Sequence, residues 1–266
     1  MKLIFQLLVI ILGFNLCFSQ ELKPIDSIQI ETDGRITDFG SDDFNNIYFI
    51  KNSVELNKID FQTRKRKRFS NQNILEDLNT QNILQLTLKS GIFNLLILDN
   101  QLNQTEDLIH FPIESDFSPS LITLVDNNYL WGYDPVLQRL ILWNFREKKI
   151  YRQSTILNNK SSAEFYSKLI YDSHKIYLIG PDEILCFDEF ANLEKVIPFE
   201  EFDQLFIKNK YAYYSKNNLI YRKELGSATD SELIFDQDID YFSLNKQYLF
   251  VLKDKVVYLY DSQNFY

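Results

Sequence analysis

Apolar and polar positions along this chain fall into paired runs. Six stretches share one pattern, an apolar run, a short polar turn and a second apolar run: "YFIKNSVELNKID", "LTLKSGIFNLLILDN", "LWGYDPVLQRLILWN", "YLIGPDEILCFD", "AYYSKNNLIYRKE" and "FVLKDKVVYLYD". Their turns begin at Asn52, Ser90, Asp134, Pro181, Asn217 and Asp254, at intervals of 38, 44, 47, 36 and 37 residues. The turn residues tolerate or preset unusual backbone angles, and the flanks are rich in Tyr, Phe, Ile, Val and Leu. That combination predicts β-hairpins. A period of roughly 40 to 50 residues is that of a four-stranded repeat.

Each hairpin has candidates for the two missing strands. Inner strands are predicted at "RITDFGS", "NILEDL", "SLITLVD", "YSKLIYD", "FDQLFIK" and "DYFSLN". Five of the hairpins follow a polar step into an aromatic, as in "DFNNIYF" and "NKQYLF", whereas the second repeat has "DLNTQNILQL" there, leaving its inner strand the least defined. Outer strands are predicted at "KRKRFS", "EDLIHF", "KKIYRQS", "EKVIPF" and "SELIF", which is one too few. Near the other end, "IDSIQIET" (Ile25 to Thr32) alternates apolar and polar without a repeat of its own. Both anomalies vanish if this strand completes the sixth repeat and closes a ring, leaving no open sheet edge between the ends. Val256 to Tyr260 should then pair with Ser27 to Glu31.

The periodic arrangement resembles the six-bladed β-propellers, the group that includes NHL, YWTD and lactonase-type rings, and is similar to a group of exported bacterial propellers. The resemblance implies an all-β fold of six four-stranded antiparallel blades. It rests on periodicity, since the chain carries neither a "WD" signature nor "YWTD". A seven-bladed ring would leave too few residues per blade.

Residues 1–19 read as a signal peptide, with Lys2, the apolar "LIFQLLVIILGF", and small Cys17 and Ser19 three and one before a cut ahead of Gln20. A signal anchor is disfavoured because Gln6 and Asn15 interrupt the run, and Cys17 lacks the preceding small residues of a lipoprotein signal. Residues 20–266 then form one propeller domain that is periplasmic, cell-surface or secreted, with no later membrane span. Cleavage takes Lys2, so 28 basic and 37 acidic residues become 27 and 37, a net charge of −10. Such a chain has no electrostatic attraction to nucleic acid. Cys186 remains as the single thiol, so no intrachain disulfide is expected. The charged outer strands disfavour edge association, and a monomer is expected.

The candidate chemistry is sparse. His110 and His174 sit in different repeats, and Cys186 lies inside "EILCFD", an ordinary place for a buried thiol. The lactonase likeness implies a divalent ion, Ca²⁺, in a central channel, with a hydrolase as the alternative activity. Asp38, Asp77, Asp126, Asp172 and Asp240 fall on or near inner strands and are the candidate ligands. The run Arg64, Lys65, Arg66, Lys67, Arg68 reads as a solvated rim strand or as a docking patch for an acidic partner. Trp131 and Tyr133, in "LWGYDP", are the candidates for stacking on a glycan. The leading expectation is a non-catalytic binding or scaffolding module with an envelope protein or glycan as partner and no cofactor.

Overall fold

The computed structural model describes residues 23–82, 84–91, 94–111, 116–157 and 166–262. The predicted signal peptide lies outside the described residues. The described strands form six four-stranded antiparallel sheets arranged as a ring. The first strand, β1 (Asp26–Gln29), stands apart from its sequence neighbours. Blade 1 is β2 (Ile36–Ser41), β3 (Asn46–Lys51), β4 (Glu55–Asp60) and β5 (Arg66–Ser70). Blade 2 is β6 (Leu75–Asn79), β7 (Gln85–Ser90), β8 (Asn94–Asp99) and β9 (Ile109–His110), and blade 3 is β10 (Leu121–Leu124), β11 (Tyr129–Asp134), β12 (Arg139–Asn144) and β13 (Lys149–Gln153). Blade 4 is β14 (Lys168–Asp172), β15 (Lys175–Ile179), β16 (Glu183–Asp188) and β17 (Leu193–Pro198), and blade 5 is β18 (Gln204–Lys208), β19 (Tyr211–Lys216), β20 (Leu219–Glu224) and β21 (Glu232–Phe235). Blade 6 is β22 (Tyr241–Leu244), β23 (Tyr248–Lys253) and β24 (Val256–Asp261), completed by β1.

Closure is as the alternation predicts. Ser27 pairs with Tyr258, Ile28 with Val257 and Gln29 with Val256, while Asp26 rather than Glu31 forms the end of the ladder, opposite Leu259. The first and last described strands thus share one sheet, and the pairing of Ile28 turns its side chain into the core.

The turns explain how so few glycines suffice. Asn52–Ser53, Ser173–His174, Asn209–Lys210, Asn217–Asn218 and Asp254–Lys255 each place two successive residues at positive φ. This is the two-residue turn whose twist matches that of the strands. Elsewhere a strand-end Asp or Asn side chain accepts the next N–H groups: Asp126 Oδ1 from Asn128 and Tyr129, Asn144 Oδ1 from Arg146 and Glu147, Asn245 Oδ1 from Gln247 and Tyr248. Just before "DFNNIYF", Asp42 accepts the Phe44 and Asn46 N–H groups, the Asn46 amide and the Tyr48 hydroxyl. The recurrent polar step into an aromatic is therefore the device that ends one strand and starts the next.

Packing repeats with the blades. The second strand of a blade is buried on both faces, and alternate residues serve opposite neighbours. In β3, Ile47 and Phe49 pack toward blade 6 while Tyr48 and Ile50 pack toward blade 2. Six apolar clusters result, one for each seam of the ring. The seam between blades 2 and 3 is built on Trp143, which meets Phe111 and Phe117 at ring-centroid distances of 5.5 and 5.8 Å.

Blade 2 departs from the pattern where its sequence does. Its inner strand is β6, but pairing with β7 shifts between Glu76 and Asn79, and Asp77 takes a φ of 52°. This bulge breaks the period-two alternation by which a strand is recognised.

Candidate functional site

The inner strands β2, β6, β10, β14, β18 and β22 surround a central channel of about 1030 Å³. It opens on the face where these strands end, past Asp43, Asn82, Lys208 and Lys246. Its lining carries carboxylates on blades 1, 2 and 4, among them Asp38, Asp77 and Asp172, and lysines on blades 4 to 6, namely Lys168, Lys208 and Lys246.

Lys168, the first residue of β14, stands on the channel wall with its surface open to the lumen. Its ammonium donates to the Leu205 carbonyl at 3.0 Å and lies 4.7 Å from the centre of the Phe206 ring. Burial lowers its pKa, and the fields of Asp38 and Asp77 oppose that shift. Across the channel Asp38 is raised, again chiefly by burial, although it accepts the Phe39 and Leu78 N–H groups and feels Lys168. Lys208 is lowered by burial, against the pull of Asp43 and together with the push of Lys246. Lys246 pairs with Asp43 at 2.8 Å at the mouth. The lumen thus holds separated, partly desolvated charges of both signs, an arrangement suited to orienting a polar ligand or a partner's side chains.

The five candidate metal ligands do not come together. Asp38, Asp77 and Asp172 line the channel, but Asp77 pairs with Lys89 at 3.2 Å and Asp172 accepts the Asn209 N–H at 3.0 Å. Asp126 caps its own turn, and Asp240 accepts the Asp254 N–H at 2.9 Å. Among the described residues no group of three or more His, Cys, Asp or Glu side chains is placed to hold a metal ion. Strand-end carboxylates answer the backbone N–H groups of turns, which is why inner-strand position did not imply convergence. Cys186 is buried, and burial before all else raises its thiol pKa.

Trp131 and Tyr133 are each only 1% exposed, packed in the core between blades 3 and 4. A sugar ring has no face of either to stack on, which corrects their reading as glycan contacts. The alternation of β11 puts both on the same side, toward blade 4, and the following turn does not turn them out.

The basic run is a clasp as well as a rim. Arg64 pairs with Asp26 at 2.5 Å and lies 4.3 Å from the Phe61 ring centre. Arg66 donates to the Gln29 carbonyl and meets Glu31 at 3.4 Å, so two of the five cations hold the closing strand β1. Lys67 reaches Gln101 of blade 2 at 2.6 Å, while Lys65 and Arg68 are exposed. Exposed pairs contribute at most about 1 kcal/mol each. Arg64→Ala with Arg66→Ala is therefore expected to cost about 2 kcal/mol or less globally, while raising amide exchange at residues 26–29 severalfold. Unchanged exchange there would remove the clasp.

Lys168, Phe206 and Lys208 were not singled out from the sequence. The only signal was a lysine inside otherwise apolar inner strands, in "SKLIYD" and "LFIK".

No family model matches the chain, and no curated protein matches it in sequence. Solved structures do share its β-propeller fold. The Pan2 WD40 domain of Neurospora crassa superposes with a TM-score of 0.55 at 9% identity, over 92% of this chain and 96% of that one. Virginiamycin B lyase from Staphylococcus aureus gives 0.57 at 12% identity, over 87% and 82%. BamB from Moraxella catarrhalis gives 0.50 at 8% identity, over 90% and 99%. At such identities the likeness is one of fold.

Proposed function

We propose that this chain is an exported propeller of the bacterial envelope that binds or scaffolds a partner protein without catalysis. The observation that carries the reading is the wide channel mouth, where the turns of six blades share one concave face. Exposed apolar side chains stand on that face, Leu84 at 60% and Phe44 at 55%, beside Lys208, Lys246 and Asn82. Apolar groups rimmed by polar ones on a rigid concave surface are the usual elements of a protein contact. The channel carboxylates support the same reading, because their oxygens are spent on backbone N–H groups and on Lys89. BamB and WD40 domains offer a parallel only in architecture.

The test has two arms. Cell fractionation should place the protein outside the cytoplasm. Leu84→Asp with Lys208→Glu should abolish capture of an envelope partner by the immobilised protein, while Val136→Asp, exposed on the opposite face, leaves capture unchanged. Equal capture by all three proteins would overturn the assignment of the face, and cytoplasmic retention would overturn export.

A further inference from the structure

A second, smaller cleft of about 230 Å³ lies between blades 3 and 4, beside the channel, with which it shares Val125 and Tyr171. Its walls are Tyr129 of β11, Tyr151 of β13 and Tyr171 of β14; Trp131 and Leu142 close the floor, and Arg152 and Glu189 stand at the rim. Tyr129 and Tyr151 meet edge to face, with centroids 5.4 Å apart at 62°.

The sequence builds this cleft through a bulge. Pairing of β12 with β13 shifts between Leu142 and Trp143, so that Arg152 opposes Leu142, Ile150 opposes Trp143, and Tyr151 has no partner across the ladder. Tyr151 and Arg152 consequently both line the cleft, although consecutive strand residues ordinarily face opposite ways. Blade 4 has the same bulge, with Glu194 as its extra residue. There Glu194 pairs at 2.6 Å with Lys175, the first residue of β15, as Tyr129 is the first of β11. Where blade 4 closes this position with an ion pair, blade 3 places two phenol rings and leaves space in front of them.

The charges around that space are mixed but committed unequally. The Arg152 guanidinium donates to the Glu189 carbonyl and lies 4.6 Å from the Phe190 ring centre, so it is fastened across the seam. Glu189 is half exposed, with His174 Nδ1 at 3.3 Å. Burial first, and then the fields of Glu189 and Asp126, raise the Tyr171 phenol, which marks the local field as negative. The chain as a whole carries −9.

We propose that this cleft binds a quaternary ammonium group. Aromatic faces attract a cation through their quadrupoles, and a bulky cation without N–H groups needs no hydrogen-bond acceptors from an otherwise apolar wall. The cleft's volume admits such a headgroup, and Glu189 supplies a counter-charge at the rim. The group is found on soluble choline-like compounds and on choline lipids, and the experiment separates the two.

The probes are choline and its uncharged carbon isostere 3,3-dimethylbutan-1-ol, titrated calorimetrically and by the fluorescence of Trp131, one of two tryptophans in the chain. Choline should bind about tenfold more tightly than the isostere, a difference of about 1.4 kcal/mol. Tyr151→Ala, at a side chain 63% exposed, should keep the fold and weaken choline about tenfold. Glu189→Gln should weaken choline severalfold while leaving the isostere unchanged. Sedimentation with phosphatidylcholine vesicles would assign a lipid headgroup as source, and binding of free choline without it a solute. Equal affinity for choline and the isostere, or no binding of choline by protein with an intact melting transition, would overturn the site.

Discussion

Replacing Ile28 with aspartate is expected to open the ring at its closing seam. Ile28 is the only residue of β1 whose side chain is buried, and it enters the cluster made by Phe39, Phe49, Phe61, Phe250 and Val257 between blades 6 and 1. Loss of a buried isoleucine side chain costs about 2–5 kcal/mol, and a carboxylate in its place adds a desolvation cost unless it takes up a proton. Together these approach the whole stability of a domain, about 5–15 kcal/mol. The expected result is loss of the cooperative urea transition, or a midpoint lowered by more than half, with amides 256–260 exchanging as in an open edge. Gln29→Asp, one residue on and facing solvent, should change the midpoint little. Indistinguishable behaviour of the two variants would mean that β1 contributes only backbone pairing to closure.

That prediction rests on a feature readable in the sequence, and the contrast with what was unreadable is instructive. Strand alternation is local, so "IDSIQIET" declares a half-buried strand wherever it ends up, and the count of outer strands says where it is missing. All six inner strands appear where they were placed, β6 included. Its kink at Asp77 was hidden because a bulge erases the alternation that makes a strand visible. The sites are different in kind. The channel depends on six strands separated by about 40 residues each, and no spacing rule tells which of their Asp side chains turn inward and which cap a turn. The clasp of Arg64 and Arg66 on β1 and the cleft of Tyr129, Tyr151 and Tyr171 each join different blades. A charge run or an aromatic pair in one segment therefore carries no information about its partner.

Asn245→Leu is expected to have the second largest effect, because one buried amide serves two structures at once. Its Oδ1 accepts the Gln247 and Tyr248 N–H groups at 2.9 and 2.8 Å, forming the turn between β22 and β23. Its Nδ2 donates at 2.8 Å both to the Asp42 carbonyl and to Asn45 Oδ1, in blade 1. Leucine of nearly the same volume would fill the space and satisfy none of the four groups. A buried group left without its hydrogen bond costs about 1–3 kcal/mol, and the two turn N–H groups lie nearest to water, so the net cost is about 3–4 kcal/mol. For a chain of this size that corresponds to a fall of roughly 6–15 °C in Tm. Ser41 and Ser243, whose hydroxyls lie 2.8 Å apart across the same seam, provide the comparison. Ser243→Ala removes the acceptor of the Ser41 N–H as well and should cost about 1–2 kcal/mol. If Asn245→Leu cost no more than Ser243→Ala, the polar joint between blades 1 and 6 would be dispensable, and closure would rest on Ile28 and its apolar neighbours alone.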